Sequence, residues 1–173
     1  MIRIGILGAG GIAERAMVEP ARGVDGVEVV AIGARDPERA RAFASRLGLE
    51  AWGDYDAVLS DPRVDLVYLA LPPIVHAEWA TRALAAGKHV LCEKPLSANG
   101  TTAEQIADAA DAAGRRAFVG FHFRLHAFIR ELLDTIGSGV LGDVKLVEID
   151  FSIPHFVVQR ATSASTAISP AAP

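Results

Sequence analysis

Short apolar runs alternate with segments of helical periodicity along most of the chain. The apolar runs predict strands at residues 4–7, 27–32, 49–52, 64–71, 89–92 and 117–120. Apolar residues at helical spacing predict helices between these strands, at residues 12–22, 37–47, 54–59, 75–86 and 103–113. Alternating strands and helices form right-handed crossovers, which give a parallel sheet covered by helices on both faces.

A glycine-rich turn follows the first of these strands and matches the pattern G-x-G-x-x-G/A. Gly8 permits a tight turn, and Gly10 has no side chain to keep a pyrophosphate away from the backbone. The amides of Gly11 and Ile12 open the next helix, whose positive end attracts phosphate. Ala13 is small enough for that helix to pack on the strand. The alternative is a tight turn that holds no ligand.

Six strands with this turn after the first predict an α/β fold with a doubly wound parallel sheet, the Rossmann-like NAD(P)-binding architecture. The end of the second strand then bears on the choice of cofactor. Ala34 stands where NAD-binding chains usually place an acid, and Arg35 follows it. A guanidinium pairs with a 2′-phosphate. The sequence therefore favours NADP(H), with NAD(H) as the alternative cofactor and a solvated surface charge as the alternative role for Arg35.

Ligands of open parallel sheets bind beyond the carboxyl ends of the strands. Leu71 and Pro72 follow the fourth strand and are therefore expected to contact the cofactor. His76 comes shortly afterwards, where it fits a cofactor contact and a packing or capping role equally well. Glu93 and Lys94 follow the fifth strand, where the lysine could donate a proton or hydrogen bond to a substrate oxygen. Taken alone, the same two residues are typical of an exposed ion pair.

The character of the chain changes after residue 121. Residues 124–136 have the spacing of an amphipathic helix, and residues 144–153 alternate like a strand. We therefore expect a dinucleotide-binding domain at 1–121, the opening helix and strand of an incomplete substrate domain at 122–154, and a disordered tail at 155–173. Asp36, before Pro37, is expected to cap a helix.

Composition narrows the functional classes. The 173 residues are 51% hydrophobic and carry a net charge of −4, which argues against a nucleic-acid partner. One cysteine, Cys92, allows no intrachain disulfide. No apolar run reaches the roughly 20 residues of a membrane span, and no secretory leader is evident. We therefore expect a cytoplasmic protein with no membrane partner, and no metal site is predicted.

Residues 83–96 (ALAAGKHVLCEKPL) resemble a signature of the glucose–fructose oxidoreductase and myo-inositol dehydrogenase (Gfo/Idh/MocA) family. The glycine turn, residues 34–37, the Pro72-Pro73 pair with His76, and residues 119–126 are similar in order and spacing. The resemblance covers residues 1–153 and corresponds to the N-terminal part of the family. Within the family the chain is similar to the dihydrodiol and NADP-linked sugar dehydrogenases.

The resemblance implies an NAD(P)-dependent dehydrogenase in which hydride passes between nicotinamide and a sugar, polyol or related alcohol. It implies that Lys94 is the active-site lysine, that Glu93 is its neighbour at the cofactor, and that Arg124 is brought towards the cofactor. A second α/β domain would bind the small-molecule substrate, and its sheet would join subunits into a homo-oligomer in full-length members.

The chain departs from the family after Pro154. Full-length members are much longer, and their second domain supplies an aspartate and a histidine that is commonly the acid/base. His155 stands alone, without that pattern. The expectation is therefore a truncated chain that binds cofactor with little or no activity. The alternative is a non-catalytic nucleotide-binding or redox-sensing module that works with a partner chain.

Overall fold

The computed structural model describes residues 1–150. The chain divides into two compact units, residues 1–126 and a second unit that begins at Ala127. The first unit contains a six-stranded parallel sheet, and its strands are β1 (Ile2–Leu7), β2 (Val27–Gly33), β3 (Ala51–Gly53), β4 (Leu66–Leu69), β5 (His89–Cys92) and β6 (Ala117–Val119). Their order across the sheet is β3-β2-β1-β4-β5-β6. This order confirms the predicted doubly wound α/β fold.

Helices connect the strands and cover both faces of the sheet. The first connection is a continuous helical run made of α1 (Gly11–Ala13), a π-helical stretch (Glu14–Val18) and α2 (Glu19–Ala21). The others are α3 (Pro37–Leu47), α4 (Tyr55–Ser60), α5 (His76–Ala85) and α6 (Gly100–Ala113), with 3₁₀ turns at Pro73–Val75 and His122–Leu125. The second unit opens with α7 (Ala127–Gly137).

Successive residues of the central strands point to opposite faces, which gives the first unit two hydrophobic cores. Leu7 and Leu69 belong to one core, together with Leu84 of α5. Ile6 and Tyr68, one residue earlier in each strand, belong to the other core. All five side chains are at most 2% exposed. Burying an aliphatic side chain of this size stabilises a fold by about 1.5–3 kcal/mol, so the two cores fix the register of the sheet.

Polar side chains begin three of the helices. The Asp36 carboxylate accepts the Glu38 amide at 3.0 Å, which confirms the predicted cap of α3. The Asp54 carboxylate accepts the Ala57 amide at 2.8 Å at the start of α4. Asn99 does the same for α6, whose start at Gly100 is three residues earlier than predicted. These caps satisfy amides that have no acceptor within the helix.

The predicted strand at residues 144–153 is wrong for the part that the structure describes. No strand forms between residues 144 and 150, because a strand needs a neighbouring chain to accept and donate its ladder hydrogen bonds. Residues 151–153 and the predicted tail, with His155, lie outside the described residues. The amphipathic helix is confirmed as α7, in which Phe128 and Leu133 are exposed.

The fourth strand is shorter than predicted, Leu66–Leu69 instead of residues 64–71. Val64 precedes the strand and is buried in a turn, and the Ala70 amide still donates to the Leu7 carbonyl at 2.9 Å. Within the described residues, no helix combines the length and the apolar character that a membrane span requires.

An ion pair joins the amino end of β1 to the residue before β4. Arg3 Nη2 donates to Asp65 Oδ1 at 2.9 Å, and Arg3 Nε donates to Oδ2 at 3.0 Å. The Arg3 backbone amide adds a third bond to Oδ2 at 2.9 Å. The hydrogen bonds from the Arg3 side chain are the main reason that the pKa of Asp65 falls to about 2.

Replacing Asp65 with asparagine tests this pair. An unfolded aspartate has a pKa of about 3.9, so the depressed native pKa stabilises the fold above about pH 4. That stabilisation is lost as the pH falls through about 2. Urea unfolding from about pH 6 to about pH 2 should therefore show a shallower loss of stability in Asp65→Asn than in the wild type. Asp25→Asn, in an exposed turn, should keep the wild-type slope, and equal slopes in all three proteins would contradict the assignment.

Candidate functional site

The strand order reverses between β1 and β4, and a cavity opens at the carboxyl ends of these strands. Its volume is about 790 Å³, within the usual range of small-molecule sites. The chain turns away in opposite directions after the two strands and leaves a crevice between them. In an open parallel sheet, ligands usually bind in this crevice. The lining residues come from the ends of β1, β2 and β4 and from nearby helices: Gly8, Ala9, Gly10, Ala34, Arg35, Asp36, Arg39, Tyr55, Ala70, Leu71, Pro72, Ile74, Val75 and Trp79.

Gly8 closes the end of β1 against the end of β4. Its φ is +116°, and a Cβ at this position would lie 2.3 Å from the Ala70 carbonyl oxygen. The Gly8 amide donates to the Gly33 carbonyl at 2.8 Å, so the turn is also tied to β2. A side chain is therefore excluded at Gly8 by both backbone conformation and space.

Gly10 and Gly11 face open space. Apart from the adjacent residues and the backbone of the helix itself, no heavy atom lies within 4 Å of the position that a Cβ would take at either residue. The amides of Gly11 and Ile12 begin the helical run, where no intrahelical acceptor is available to them. Ala13 is fully buried beneath them, as predicted for close packing of helix and strand. The turn can therefore accept an anion at its backbone, as the diphosphate of a dinucleotide requires.

Two arginines line the cavity beyond the end of β2, namely Arg35 and Arg39. Arg39 Nη2 donates to the Ala9 carbonyl at 3.0 Å, which holds this guanidinium at the rim of the glycine turn. Ala34 is only 4% exposed and contributes no charge. The Asp36 carboxylate also borders the cavity, but it caps α3. Arg39 was not predicted from the sequence, because its only local signal is its position in the first turn of α3.

An aromatic pair and the loop after β4 form the remaining wall. Tyr55 and Trp79 pack edge to face, with ring centroids 4.7 Å apart and planes at 73°. Leu71 and Pro72 line the cavity as predicted from the end of the fourth strand. Tyr55 and Trp79 were not predicted, because they come from α4 and α5 and meet only in the folded chain. Their rings add apolar surface to the lining of the cavity.

Glu93, which directly follows β5, is held by a tyrosine of β4. Tyr68 Oη donates to Glu93 Oε1 at 2.7 Å. Burial and then this hydrogen bond raise the pKa of Tyr68 well above its usual value, so the phenol is a neutral donor. The other carboxylate oxygen of Glu93 lies 3.9 Å from Lys94 Nζ. The carboxylate is thus fixed on one side and faces the amine on the other.

The predicted site residues do not all line one cavity. Glu93 lines a smaller cavity of about 340 Å³ on the β5–β6 side of the sheet. Lys94 lines neither cavity, its side chain is 54% exposed, and the Lys94–Pro95 peptide bond is cis. Arg124 is exposed in the 3₁₀ turn after β6 and also lines neither cavity. The roles of these three residues stay predictions.

His76 is fully buried at the start of α5. Its Nε2 lies 2.7 Å from the Leu71 carbonyl oxygen, and its Nδ1 lies 2.9 Å from the Pro95 carbonyl oxygen. Both ring nitrogens are therefore occupied by protein atoms. The predicted contact between His76 and a cofactor stays untested, and it has no free polar ring atom to use.

Comparison with known proteins agrees with this geometry. Residues 2–121 match the model of an oxidoreductase family with an NAD-binding Rossmann fold. A dTDP-3,4-didehydro-2,6-dideoxy-α-D-glucose 3-reductase of Actinomadura kijaniata is 39% identical over 153 residues, which are 88% of this chain and 46% of that protein. The D-xylose 1-dehydrogenase (NADP⁺) 2 of Haloferax volcanii is 38% identical over 149 residues, which are 86% of this chain and 45% of that protein.

A solved structure shows the same similarity in three dimensions. The crystal structure of a 3-ketoreductase from Actinomadura kijaniata in complex with NADP gives a TM-score of 0.74 at 39% identity. The match covers 82% of this chain and 45% of that one. The chain therefore belongs to the oxidoreductase family with the NAD-binding Rossmann fold, which confirms the resemblance seen in the sequence. It spans about half the length of the relatives that it matches.

Alanine should be far more destabilising at Gly8 than at Gly10 of the glycine turn. Gly8→Ala places a Cβ against Ala70 at positive φ, and we expect a loss of about 1–3 kcal/mol in the free energy of unfolding. Gly10 has φ −134° and ψ 169°, which any residue adopts, so Gly10→Ala should change the stability by less than about 0.5 kcal/mol. Urea unfolding measures both. Equal losses in the two variants would contradict the described turn.

Proposed function

We propose that the chain binds NADP(H) across the carboxyl edge of its sheet. The diphosphate would rest on the amides of Gly10 to Ile12, and the 2′-phosphate would lie between Arg35 and Arg39. The single observation that carries this proposal is one cavity that joins the open glycine turn to two guanidinium groups. Bound NADP(H) supplies or accepts a hydride at its nicotinamide.

The charge of the cavity beyond the end of β2 supports the phosphorylated cofactor over NAD(H). An NAD-binding site needs a carboxylate for the ribose hydroxyls, and Ala34 stands at that position. The carboxylate of Asp36, which lines the same cavity, caps the start of α3. Two guanidiniums near one 2′-phosphate form charge-assisted, bidentate hydrogen bonds. The NADP complex of the related 3-ketoreductase and the name of the related xylose dehydrogenase support the same choice.

The proposed reaction is hydride transfer between nicotinamide and a carbon of a sugar-like substrate. The related reductase and xylose dehydrogenase, which are named for sugar substrates, support this class. Lys94 is the proposed catalytic group, since its amine is exposed beside Glu93 at the end of β5. There it would donate a proton or a hydrogen bond to the substrate oxygen. Tyr68 would keep the Glu93 carboxylate in place during this transfer.

Calorimetric titration with NADPH and NADH tests the cofactor proposal. The wild type should bind NADPH at least about tenfold more tightly, which corresponds to about 1.4 kcal/mol. Arg35→Ala and Arg39→Ala should each weaken NADPH binding by about 1.5–3 kcal/mol, the usual worth of a hydrogen bond to a charged group. Both variants should leave NADH binding nearly unchanged, because NADH has no 2′-phosphate.

Arg41→Ala is the matched control on the same helix. Arg41 is exposed and pairs with Glu38 at 2.8 Å, and it does not line the cavity. Its removal lowers the net charge equally and should leave both affinities unchanged. Equal wild-type affinities for the two nucleotides would contradict the proposed 2′-phosphate site. Binding of NADPH without turnover of any sugar substrate would favour the alternative of a non-catalytic nucleotide-binding module.

A further inference from the structure

His76 bridges two loops that leave the sheet at neighbouring strands. Its imidazole is fully buried between the carbonyl oxygen of Leu71, at 2.7 Å, and the carbonyl oxygen of Pro95, at 2.9 Å. Leu71 lines the large cavity after β4. Pro95 directly follows Lys94 on the loop after β5. One side chain therefore connects the wall of the proposed cofactor site to the loop of the proposed catalytic lysine.

Both partners of His76 are hydrogen-bond acceptors. A neutral imidazole carries one N–H, so it donates to one carbonyl and turns a nitrogen lone pair towards the other. An imidazolium carries two N–H groups and donates to both carbonyls. The two distances are in the normal range for N–H···O hydrogen bonds. Charge-assisted bonds to two backbone oxygens would offset part of the cost of burying the cation.

Other side chains fix the same loop on both sides of Lys94. Tyr68 holds the Glu93 carboxylate before it, at 2.7 Å. The Cys92 thiol donates to the Leu96 carbonyl after it, at 3.5 Å. Burial raises the pKa of Cys92 to about 12, so the thiol keeps its proton for that bond.

We propose that His76 is a positioning residue, which donates hydrogen bonds from both ring nitrogens and thereby fixes the Lys94 loop relative to the wall of the cofactor cavity. Only the effect of this alignment on the cofactor and on Lys94 rests on the proposed function. The double hydrogen bond itself is a property of the folded chain.

Nitrogen NMR of the ¹⁵N-histidine-labelled chain tests the double donation. His76→Gln identifies the His76 signals by their loss. Both His76 nitrogens should resonate as protonated N–H groups in the wild type. His89 is an internal reference, because its Nδ1 accepts the Arg116 amide at 3.1 Å and so carries no proton in that bond. A His76 spectrum with one unprotonated nitrogen would overturn the proposal.

Hydrogen exchange tests the connection between the loops. His76→Leu removes both donors, and we expect faster amide exchange in residues 71–75 and in residues 93–97 together, with little change elsewhere in the sheet. His76→Gln retains one donating amide and should restore part of the protection. His89→Gln, at the amino end of β5, should leave both loops unchanged. Faster exchange in only one loop, or equally throughout the sheet, would overturn the bridging role.

Cofactor affinity supplies the functional readout. NADPH binding should weaken by about tenfold in His76→Leu and by less in His76→Gln, with no change in His89→Gln. Affinity unchanged in His76→Leu would overturn a positioning role at the cofactor. If the wild type bound no NADPH, the proposed function would fail, while NMR and exchange would still decide the bridge. If His76→Leu did not fold, the wild-type spectrum and His76→Gln would carry the test.

Discussion

The contact between the ends of β1 and β4 at Gly8 is the constraint on which the site depends. There is no room for a Cβ between this turn and the Ala70 carbonyl, so the two strands end side by side. The chain then leaves in opposite directions, into the helical run at Gly11 and into the loop at Leu71. The cavity lies between these two segments. Sheet order, turn and cavity thus follow from one close approach.

The cavity beside that contact is lined by both charged groups and apolar surface. The rim carries the open amides of the glycine turn and the guanidiniums of Arg35 and Arg39. Tyr55 and Trp79, which pack edge to face, add apolar surface to the same cavity. A dinucleotide also has both kinds of surface, with charged phosphates at its centre and planar rings at its ends. The match to a dinucleotide therefore involves the whole lining of the cavity and not a single type of residue.

Local chemistry explains how much the sequence could predict. The periods of apolar residues predicted all six strands, and Asp36 predicted the start of α3, because these signals act over a few residues. The predicted strand at 144–153 failed over residues 144–150, since alternation says nothing about whether a partner strand is available. Arg39 and Trp79 and the bridge at His76 also went unpredicted, because each depends on contacts between distant segments.

The most direct test of the central claim follows backbone amides during an NADPH titration. In ¹H–¹⁵N spectra of the chain, the amides of Gly10, Gly11 and Ile12 should shift together with the side-chain signals of Arg35 and Arg39. Such a pattern would place the diphosphate at the glycine turn and the 2′-phosphate at the two arginines of one cavity. Saturable shifts that spare the glycine turn, or the absence of any shift at millimolar NADPH, would contradict the account.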